Sequence, residues 1–346
     1  MKPICSSDGS LGTPSAFARV ICGLCVLAMS AFALAQSASR DTIVTRAQVE
    51  QAMARGALVW DVRAPAEYAK GHIAGAVSIG DAPSVLRDGN REDFISLAAI
   101  EQILGSAGID PSREIVVYGN RGTWNPYFAL YTTQYFGGKS TSVYHGGIED
   151  WIDAAKPITS APTKLPSIAL KLTVDASRVA STREVIDKVG KANVQILDVR
   201  TTAEFEGNDI RAIRGGHVPG AVNIPYERNW QDPDTLAKLG KRQVNSSVGM
   251  SLKPVDELRK MYAGLDKEKE TIVYCQSGAR ASESAGVLQQ LGFKNVKVYD
   301  SSWLGYASAL DAPAENVTFV NVGALQGRIQ ALQNRLDALE REAVRK

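Results

Sequence analysis

Four sequence blocks occur twice in the same order, and this internal repeat constrains the fold more than any other feature. The blocks pair residues 58–63 with 195–200, 71–77 with 216–222, 114–118 with 270–274, and 143–151 with 298–306. In the second block, for example, GHIAGAV recurs as GHVPGAV. A repeat of this length and order predicts two copies of one domain, arranged in tandem.

Each copy alternates short β-rich runs with helical patterns. In the second copy the predicted strands are 195–199, 221–224, 271–274 and 296–299, and the predicted helices are 181–189, 254–264 and 281–291. The strands are mainly apolar, which is typical of parallel strands buried on both faces. The sequence therefore predicts an α/β protein with two similar domains, each a parallel sheet flanked by helices.

The domain limits follow from the repeat and from a change in composition between the copies. We place the first domain at residues 41–157 and the second at residues 172–312. Residues 157–166 contain three prolines together with serines and threonines. This composition predicts an exposed linker over residues 158–171.

Residues 1–35 have the pattern of a signal peptide. Lys2 and Arg19 are followed by an apolar stretch over residues 20–33, and residues 33–35 (ALA) have the small-x-small form of a cleavage site. The apolar run is too short and interrupted for a spanning helix. We therefore expect an exported, periplasmic protein without a membrane span after cleavage.

Composition narrows the classes of partner. The net charge is +2 and 22% of the residues are charged, which gives no reason to expect a nucleic-acid or membrane partner. The three histidines are far apart in sequence, and no Cys/His cluster has the spacing of zinc ligands. Neither a metal nor another cofactor is expected.

Cys275 has the sequence context of a nucleophile. The other cysteines lie in the predicted signal peptide: Cys5, Cys22 and Cys25. Cys275 directly follows the apolar run 271–274 and precedes a helical pattern, with Gly278 in the short loop between them. Loop N–H groups and the positive end of a helix dipole favour negative charge, and Arg280 adds a fixed positive charge. These features favour a reactive thiolate over a buried structural cysteine.

Together these blocks resemble the tandem rhodanese-domain sulfurtransferases. The matching segments are residues 198–200, 216–221, 274–280 and 299–303, and the resemblance covers nearly all of residues 43–312. It implies the fold of that family and a sulfurtransferase activity. It also implies that the catalytic cysteine lies in the carboxy-terminal copy, where Cys275 occupies that position.

The first copy departs from the family pattern. Aligning residues 117–118 with residues 273–274 puts Gly119 at the position of the nucleophile, so no side chain there can carry sulfur. The resemblance implies a catalytically inactive domain that covers one side of the active-site cleft. Arg121 in the same loop is expected to be a solvated surface residue, with a binding role as the alternative.

The expected reaction is a double displacement. The Cys275 thiolate attacks the outer sulfur of a donor such as thiosulfate and releases sulfite, and cyanide or a thiol then removes sulfur from the Cys275 persulfide. Loop N–H groups from Gln276 to Arg280 would stabilise the sulfur anion. Gly278 would permit the tight curl of the loop and Ser277 could donate its hydroxyl. Arg280 is expected either to attract an anionic donor or to brace the loop against carboxylates.

Loop length separates this chemistry from a related one. Cysteine phosphatases and some arsenate reductases that resemble this fold place five residues between Cys and Arg. Four residues separate Cys275 from Arg280 here: Gln276, Ser277, Gly278 and Ala279. The shorter loop suits a persulfide better than a tetrahedral phosphate, so those enzymes are a minor alternative. A second alternative is a persulfide carrier or docking module without useful turnover.

The identity of the donor stays open between thiosulfate and 3-mercaptopyruvate. Gln276-Ser277 is neutral whereas Arg280 is cationic, so the loop has neither the small neutral pattern of mercaptopyruvate relatives nor the Arg-Lys pattern of thiosulfate relatives. Glu204 stands near a position where some thiosulfate enzymes have arginine. Thiosulfate is favoured because periplasmic sulfur chemistry supplies it.

Several polar residues in or near the repeated blocks are expected to have structural roles. Asp198 and Arg200 end a predicted strand at the edge where ligands bind in parallel sheets, and the resemblance implies a structural ion pair there. His217 matches His72 of the copy without a nucleophile, which indicates a role in a turn. His145 has no histidine counterpart and is expected at the surface.

Residues 318–346 predict a helix of a different kind. Apolar residues spaced by 4, 3, 4 and 3 form a heptad seam: Leu325, Ile329, Leu332, Leu336 and Leu339. Arg335 and Glu340 fall at flanking g and e positions. The pattern predicts either self-association through residues 325–343 as a coiled coil or a terminal helix packed on its own domain.

Overall fold

The computed structural model describes residues 41–89 and 93–344. The predicted signal peptide lies outside these residues. In the part of the chain that is described, no helix has the length and apolar character needed to cross a membrane.

The first copy contains one four-stranded parallel sheet with helices on both faces. Its helices are α1 (Arg46–Ala54), α2 (Pro65–Lys70), α3 (Ala82–Leu86), α4 (Leu97–Ser106), α5 (Asn125–Tyr135) and α6 (Gly147–Asp153). Its strands are β1 (Leu58–Asp61), β2 (His72–Ile73), β3 (Val77–Ser78), β4 (Arg87–Asp88), β5 (Asp93–Phe94), β6 (Ile115–Tyr118), β7 (Thr141–Tyr144) and β8 (Ile158–Thr159). The sheet order is β3-β1-β6-β7.

The second copy repeats this sheet with the order β10-β9-β11-β12. Its strands are β9 (Val194–Asp198), β10 (Val222–Asn223), β11 (Glu270–Tyr274) and β12 (Asn295–Val298). The helices are α7 (Thr182–Lys188), α8 (Thr202–Phe205), α9 (Thr235–Gly240), α10 (Val255–Met261), α11 (Ala279–Gln290), α12 (Ser302–Ser308) and α13 (Val322–Val344). Short 3₁₀ turns cover Ala176–Arg178, Tyr226–Asn229 and Val248–Met250.

The central strands are buried on both faces, which explains their continuous apolar sequence. All four residues of β1 and of β6 are buried, and so are the last four of β11. Corresponding strands pair in parallel and end at the same edge, with Tyr118 opposite Asp61 in the first sheet and Tyr274 opposite Asp198 in the second. The predicted architecture of two parallel-sheet domains and a carboxy-terminal helix is confirmed.

The two copies meet through equivalent helices, α5 and α11. A Cβ added at Gly286 would lie 2.6 Å from Cδ1 of Tyr127, so only glycine permits this close approach. The side-chain amides of Gln134 and Gln289 exchange hydrogen bonds of 2.9 and 3.0 Å across the contact. One hydrophobic core cluster contains residues of both copies, so the core is continuous between them.

The predicted linker is exposed along most of its length but is tied to the first copy. It begins as β8, which pairs antiparallel with β2. The N–H of Ile168 donates to the carbonyl of Gly105 at 2.9 Å, and the N–H of Leu172 donates to Glu101 at 2.9 Å. The segment is an ordered strap on the first copy, because its own backbone groups find partners there.

The carboxy-terminal helix leaves its apolar seam uncovered. Each of the six apolar residues along one stripe of α13 is at least 48% exposed: Val322, Leu325, Ile329, Leu332, Leu336 and Leu339. The helix begins four residues later than predicted, because Glu315 and Phe319 form β-bridges with His217 and Arg214. The alternative of a helix packed on its own domain is wrong.

Candidate active site

Cys275 lies at the carboxyl edge of the second sheet, directly after β11 and directly before the loop that leads into α11. Gly278 ends this loop with φ of +85°. A Cβ at residue 278 would lie 2.6 Å from the carbonyl oxygen of Asp300, so both the turn and the space there require glycine. The loop and the start of α11 together form a tight curl, which we call the cradle (residues 275–280).

Every carbonyl in the first four residues of the cradle is held by a donor outside the loop. The Trp303 N–H donates to Cys275 at 3.0 Å, the Leu304 N–H to Gln276 at 3.1 Å, the Arg87 guanidinium to Ser277, and the Ser282 N–H to Gly278 at 3.2 Å. Because the carbonyls are committed, the loop peptides have fixed orientations.

The side-chain hydroxyl of Ser302 forms hydrogen bonds with backbone groups of the cradle. Its Oγ accepts hydrogen bonds from the N–H groups of Cys275 and Gly278, each at 3.0 Å, and donates to the carbonyl of Tyr299 at 2.7 Å. The same Oγ lies 4.0 Å from Sγ of Cys275. Ser302 has φ of +49°, a left-handed conformation that is uncommon for a residue with a side chain. Strain of this kind persists where the surrounding contacts require it.

The remaining N–H groups of the cradle have no acceptor among residues 41–89 and 93–344: Gln276, Ser277, Ala279 and Arg280. They stand at the amino terminus of α11, a helix of twelve residues, where the helix dipole also favours negative charge. Such a group of amides is suited to bind an anion held on the sulfur.

Arg280 is paired with a buried carboxylate. Two of its nitrogens donate to Glu204 at 2.9 and 2.8 Å, and the Glu204 side chain is fully buried. Burial by itself would raise the pKa of Glu204, but the hydrogen bonds and charge of Arg280 outweigh it and lower this pKa to about 2. Of the two roles expected for Arg280, the contact observed is the brace against a carboxylate.

A cavity of about 790 Å³ opens over the cradle. Its lining comes from both copies: Pro83, Ser84, Arg87, Gly89 and Trp124 from the first, and Thr201, Arg211, Tyr226, Glu227, Leu236, Gln276, Ser277, Ala279 and Arg280 from the second. Cys275 is 1% exposed and lies beneath this floor of loop residues. A reactant must therefore reach the sulfur between the residues of the cradle.

Glu227 is a carboxyl group that the sequence pattern did not single out. It lines the cavity, and its Oε2 is buried without a hydrogen-bond partner in the described part of the chain. Burial raises the pKa of Glu227 above its usual value, although the charge of Arg280 opposes this. Sequence reasoning also missed Arg87 and Ser302. The sequence offers a signal for Ser302 alone, which stands in the fourth repeated block where the first copy has Gly147.

Asp198 and Arg200 form a buried ion pair beside the cradle and do not line the cavity. The guanidinium donates to the carboxylate at 2.6 Å and to the carbonyl of Gly216 at 2.7 Å. Asp61 and Arg63 make the same pair in the first copy, also at 2.6 Å. Because the pair is present in both copies, it serves the shared scaffold, where it joins the end of the strand to the turn of the second block.

The histidines of the second block stabilise turns in both copies. His217 contacts the carbonyl of Phe205 at 2.8 Å through Nδ1 and Glu315 at 3.0 Å through Nε2, and its ring stacks on Phe205. His72 makes the matching carbonyl contact and ring stack with Tyr68. Both ring nitrogens of His217 are thus occupied away from the sulfur.

Two residues expected at the surface are buried instead. His145 lies between the hydroxyl of Tyr127 and the carbonyl of Met250, each at 2.8 Å, and burial lowers its pKa to about 4. Arg121 is 5% exposed and pairs with Asp153 at 2.8 Å. Both predictions were wrong, because Met250 of the second copy covers His145 and Asp153 of α6 pairs with Arg121.

Comparison with protein families places both copies in one group. The family model described as "Rhodanese-like domain" matches residues 45–154 and again residues 181–309. A thiosulfate sulfurtransferase of Corynebacterium glutamicum is 32% identical over 260 residues, which covers 72% of this chain and 81% of the relative. A relative from Mycolicibacterium smegmatis is 33% identical over 260 residues, covering 72% and 87% of the two chains.

Solved structures share the fold. SseA of Escherichia coli, described as a 3-mercaptopyruvate sulfotransferase, superposes with a TM-score of 0.60 at 23% identity and covers 76% of this chain and 99% of its own. A variant of EanB in complex with hercynine superposes with a TM-score of 0.66 at 20% identity, covering 81% of this chain and 70% of its own.

Proposed function

We propose that this chain, which belongs to the family of rhodanese-like domain proteins and is a sulfurtransferase, moves sulfane sulfur through a persulfide on Cys275. The observation that carries the proposal is the cradle. Among the described residues the one thiol, that of Cys275, stands at the start of a loop whose carbonyls are bound by other groups, while four N–H groups have no acceptor there.

The first step forms one S–S bond and breaks another. The Cys275 thiolate attacks the outer sulfur of thiosulfate, and the electron pair of the broken S–S bond leaves with sulfite. The product is a Cys275 persulfide, whose terminal sulfur carries the negative charge. The N–H groups of Gln276, Ser277, Ala279 and Arg280 would stabilise that charge, and one such preorganised donor can contribute about 3 kcal/mol.

The second step regenerates the enzyme. A thiophilic acceptor, cyanide or a small thiol, attacks the terminal sulfur, and Cys275 leaves as the thiolate. No external oxidant or reductant is needed, because sulfane sulfur enters and leaves at the same oxidation level. A persulfide formed in one half-reaction and consumed in the other predicts ping-pong kinetics.

Thiosulfate is the donor that we propose, with 3-mercaptopyruvate as the alternative. Three guanidinium groups line the cavity, those of Arg87, Arg211 and Arg280, but each is paired with a carboxylate. The charge of the cavity therefore does not select the donor, and the choice of thiosulfate rests on the relatives. The curated relative of Corynebacterium glutamicum bears the name thiosulfate sulfurtransferase. 3-Mercaptopyruvate is the alternative because the chain shares its fold with SseA.

Intact-mass spectrometry tests both the site and the donor. The protein is mixed with either thiosulfate or 3-mercaptopyruvate, and we expect the gain of one sulfur atom on Cys275 with the productive donor. Cys275→Ser should show no gain and no thiocyanate formation from thiosulfate and cyanide. Sulfur transfer that persists in Cys275→Ser contradicts the mechanism. A persulfide without thiocyanate formation would indicate a carrier, and hydrolysis of an aryl phosphate would indicate a phosphatase.

Export to the periplasm is also proposed, on the pattern of residues 1–35. We expect the protein isolated from the periplasmic fraction of a Gram-negative host to begin at Gln36. Amino-terminal sequencing checks this. A protein that starts at residue 1 and stays with the cytoplasm would contradict the proposal.

The carboxy-terminal helix is proposed to pair with the same helix of a second copy of this chain. On the heptad frame of α13, Val322, Ile329 and Leu336 fall at a positions, and leucines occupy every d position. Two of these three a residues are β-branched, and β-branched residues at a with leucine at d favour parallel two-stranded coiled coils. In that arrangement Arg335 at g faces Glu340 at e of the partner helix.

Leu332→Glu tests this pairing, with Asn334→Glu on the opposite face of α13 as the matched control. We expect the wild type and Asn334→Glu to sediment as dimers and Leu332→Glu as a monomer, since a charge in the seam would be buried without a partner. A monomeric wild type at micromolar concentration overturns the proposal.

A further inference from the structure

Arg87 belongs to the first copy but acts on the catalytic loop of the second. It is the first residue of β4, and its side chain crosses to the cradle, where only 5% of it remains exposed. One guanidinium nitrogen donates to the carbonyl of Ser277. Another lies 3.3 Å from the carboxylate of Asp300. The guanidinium carbon stands 5.6 Å from the ring centre of Phe128, which belongs to the first copy.

These contacts fix one peptide unit of the cradle at both ends. The carbonyl of Ser277 and the N–H of Gly278 belong to the same planar peptide group and point in opposite directions. Arg87 binds the carbonyl from the first copy, and Ser302 accepts the N–H at 3.0 Å from the second. With both ends held, the plane cannot turn about its neighbouring bonds.

This peptide unit needs such a clamp more than the others in the loop. Gly278 has φ of +85°, and glycine occupies left-handed and right-handed backbone regions with similar ease. If the carbonyl of Ser277 were released, the peptide could turn over and point its oxygen inward. A carbonyl oxygen facing the sulfur would repel the thiolate and the persulfide that the neighbouring N–H groups stabilise.

We propose that Arg87 is a positioning residue for sulfur transfer, and that the copy without a nucleophile thereby takes part in catalysis. The inference rests on the proposed function of Cys275. Arg87 orients the peptide between Ser277 and Gly278, and Asp300 holds the guanidinium in place while packing against Gly278. The covering copy therefore supplies a hydrogen bond that sets the geometry of the cradle, in addition to a wall of the cavity.

The test compares Arg87→Lys and Arg87→Met with Arg113→Met, an exposed arginine of the same copy that serves as the matched control. Lysine keeps the charge but lacks the planar fork that reaches two acceptors at once. Two quantities are measured for each variant: kcat and KM for thiosulfate, and the rate of Cys275 alkylation by iodoacetamide at pH 7 relative to that at pH 10.

We expect both Arg87 variants to lose about 10- to 100-fold in kcat, as small misplacements in active sites do, with KM changed less than about threefold. The relative alkylation rate at pH 7 should fall several-fold in both, and Arg113→Met should match the wild type. Arg87→Lys keeps the test valid if Arg87→Met fails to fold.

Two results would overturn the proposal. A rise in KM with kcat and alkylation unchanged would make Arg87 a donor-binding residue, and unchanged values throughout would make it a packing residue. Alkylation is read independently of sulfur transfer. If the wild type forms no persulfide at all, the proposed function fails, while slowed alkylation in the Arg87 variants still supports the positioning role and unchanged alkylation still refutes it.

Discussion

The loops that follow β6 and β11 occupy the same place in the two copies, yet only the second carries a thiol. Gly119 stands where Cys275 stands, and Gly122 and Gly278 both end the curl with positive φ. In both loops the first carbonyl is bound by an N–H from the helix after the last strand. The frame is thus shared, and the difference lies in what fills it.

A carboxylate from within the chain fills the loop of the first copy. Glu149 accepts the N–H of Arg121 at 2.7 Å and the side-chain amide of Asn120 at 3.0 Å. In the second copy the position of Glu149 is held by Leu304, and the N–H of Ser277, which corresponds to that of Arg121, has no acceptor among the described residues. The N–H groups of this curl therefore bind a carboxylate of the protein in the first copy and, as proposed, a persulfide in the second.

The residue in left-handed conformation after the last strand differs in a related way. Gly147 in the first copy has φ of +63°, and Ser302 in the second has φ of +49°. A Cβ at residue 147 would lie 2.6 Å from the carbonyl of Gly119, so a serine has no room there. The second copy accepts backbone strain at this point, and the hydroxyl that comes with it pins Cys275 and Gly278.

Among the substitutions in the second copy, replacement of Ser302 should lower kcat the most. Ser302→Gly gives the second copy the residue that the first has and relieves the strained φ, whereas Ser302→Ala keeps the strain and loses only the hydroxyl. We expect both to lower kcat by about 10- to 100-fold, because two loop N–H groups lose their acceptor. Ser302→Gly should be the more stable of the two in urea denaturation, by about 1 kcal/mol.

Equal kcat in Ser302→Gly and the wild type would show that the hydroxyl does not organise the cradle. Ser308→Ala, on the exposed end of α12, is the control for a serine outside the loop.

Glu204→Gln probes a brace that the first copy does not have, because Trp124 stands there in place of Arg280. The folded-state pKa of Glu204 is about 2, below its ordinary value of 4.5. A depressed carboxyl pKa contributes stability that is complete above pH 4.5 and is lost as the pH falls toward 2. The difference corresponds to about 3 kcal/mol.

We therefore expect the free energy of unfolding of the wild type to fall between pH 5 and pH 2.5 more steeply than that of Glu204→Gln. Urea denaturation at several pH values in this window measures both. Parallel curves for the two proteins would mean that the pair with Arg280 does not contribute to stability in solution.

Glu227→Gln should have the smallest effect and tests whether the carboxylate that lines the cavity of the second copy acts on the donor. The pKa of Glu227 is raised, mainly by burial. Above that pKa the ionised carboxylate repels an anionic donor, so KM for thiosulfate should rise as the pH increases through it. Glutamine removes the titration, and KM should then vary less than about twofold across the same range. An unchanged pH profile in Glu227→Gln would remove this residue from donor binding.

Much of the fold could be read from the chain because its signals are local. The apolar runs before Gly119 and Cys275 predicted buried parallel strands. The matching blocks predicted two copies, of which only the second carries a cysteine. The carboxy-terminal helix was predicted from its spacing alone, since a heptad seam is a property of consecutive residues. His145 and Arg121 were wrongly expected at the surface because their burial depends on elements distant in sequence.

From the sequence we could predict the duplicated α/β scaffold, the missing nucleophile of the first copy and the position of Cys275 before a glycine-containing loop, since each depends on residues close together in the chain. Which groups complete the cradle depends on the tertiary structure. Arg87 reaches it from the other copy, Ser302 from the first residue of α12, and Glu204 from α8. Hydrogen bonds depend on distance and direction in space, and folding sets both between residues far apart in the chain.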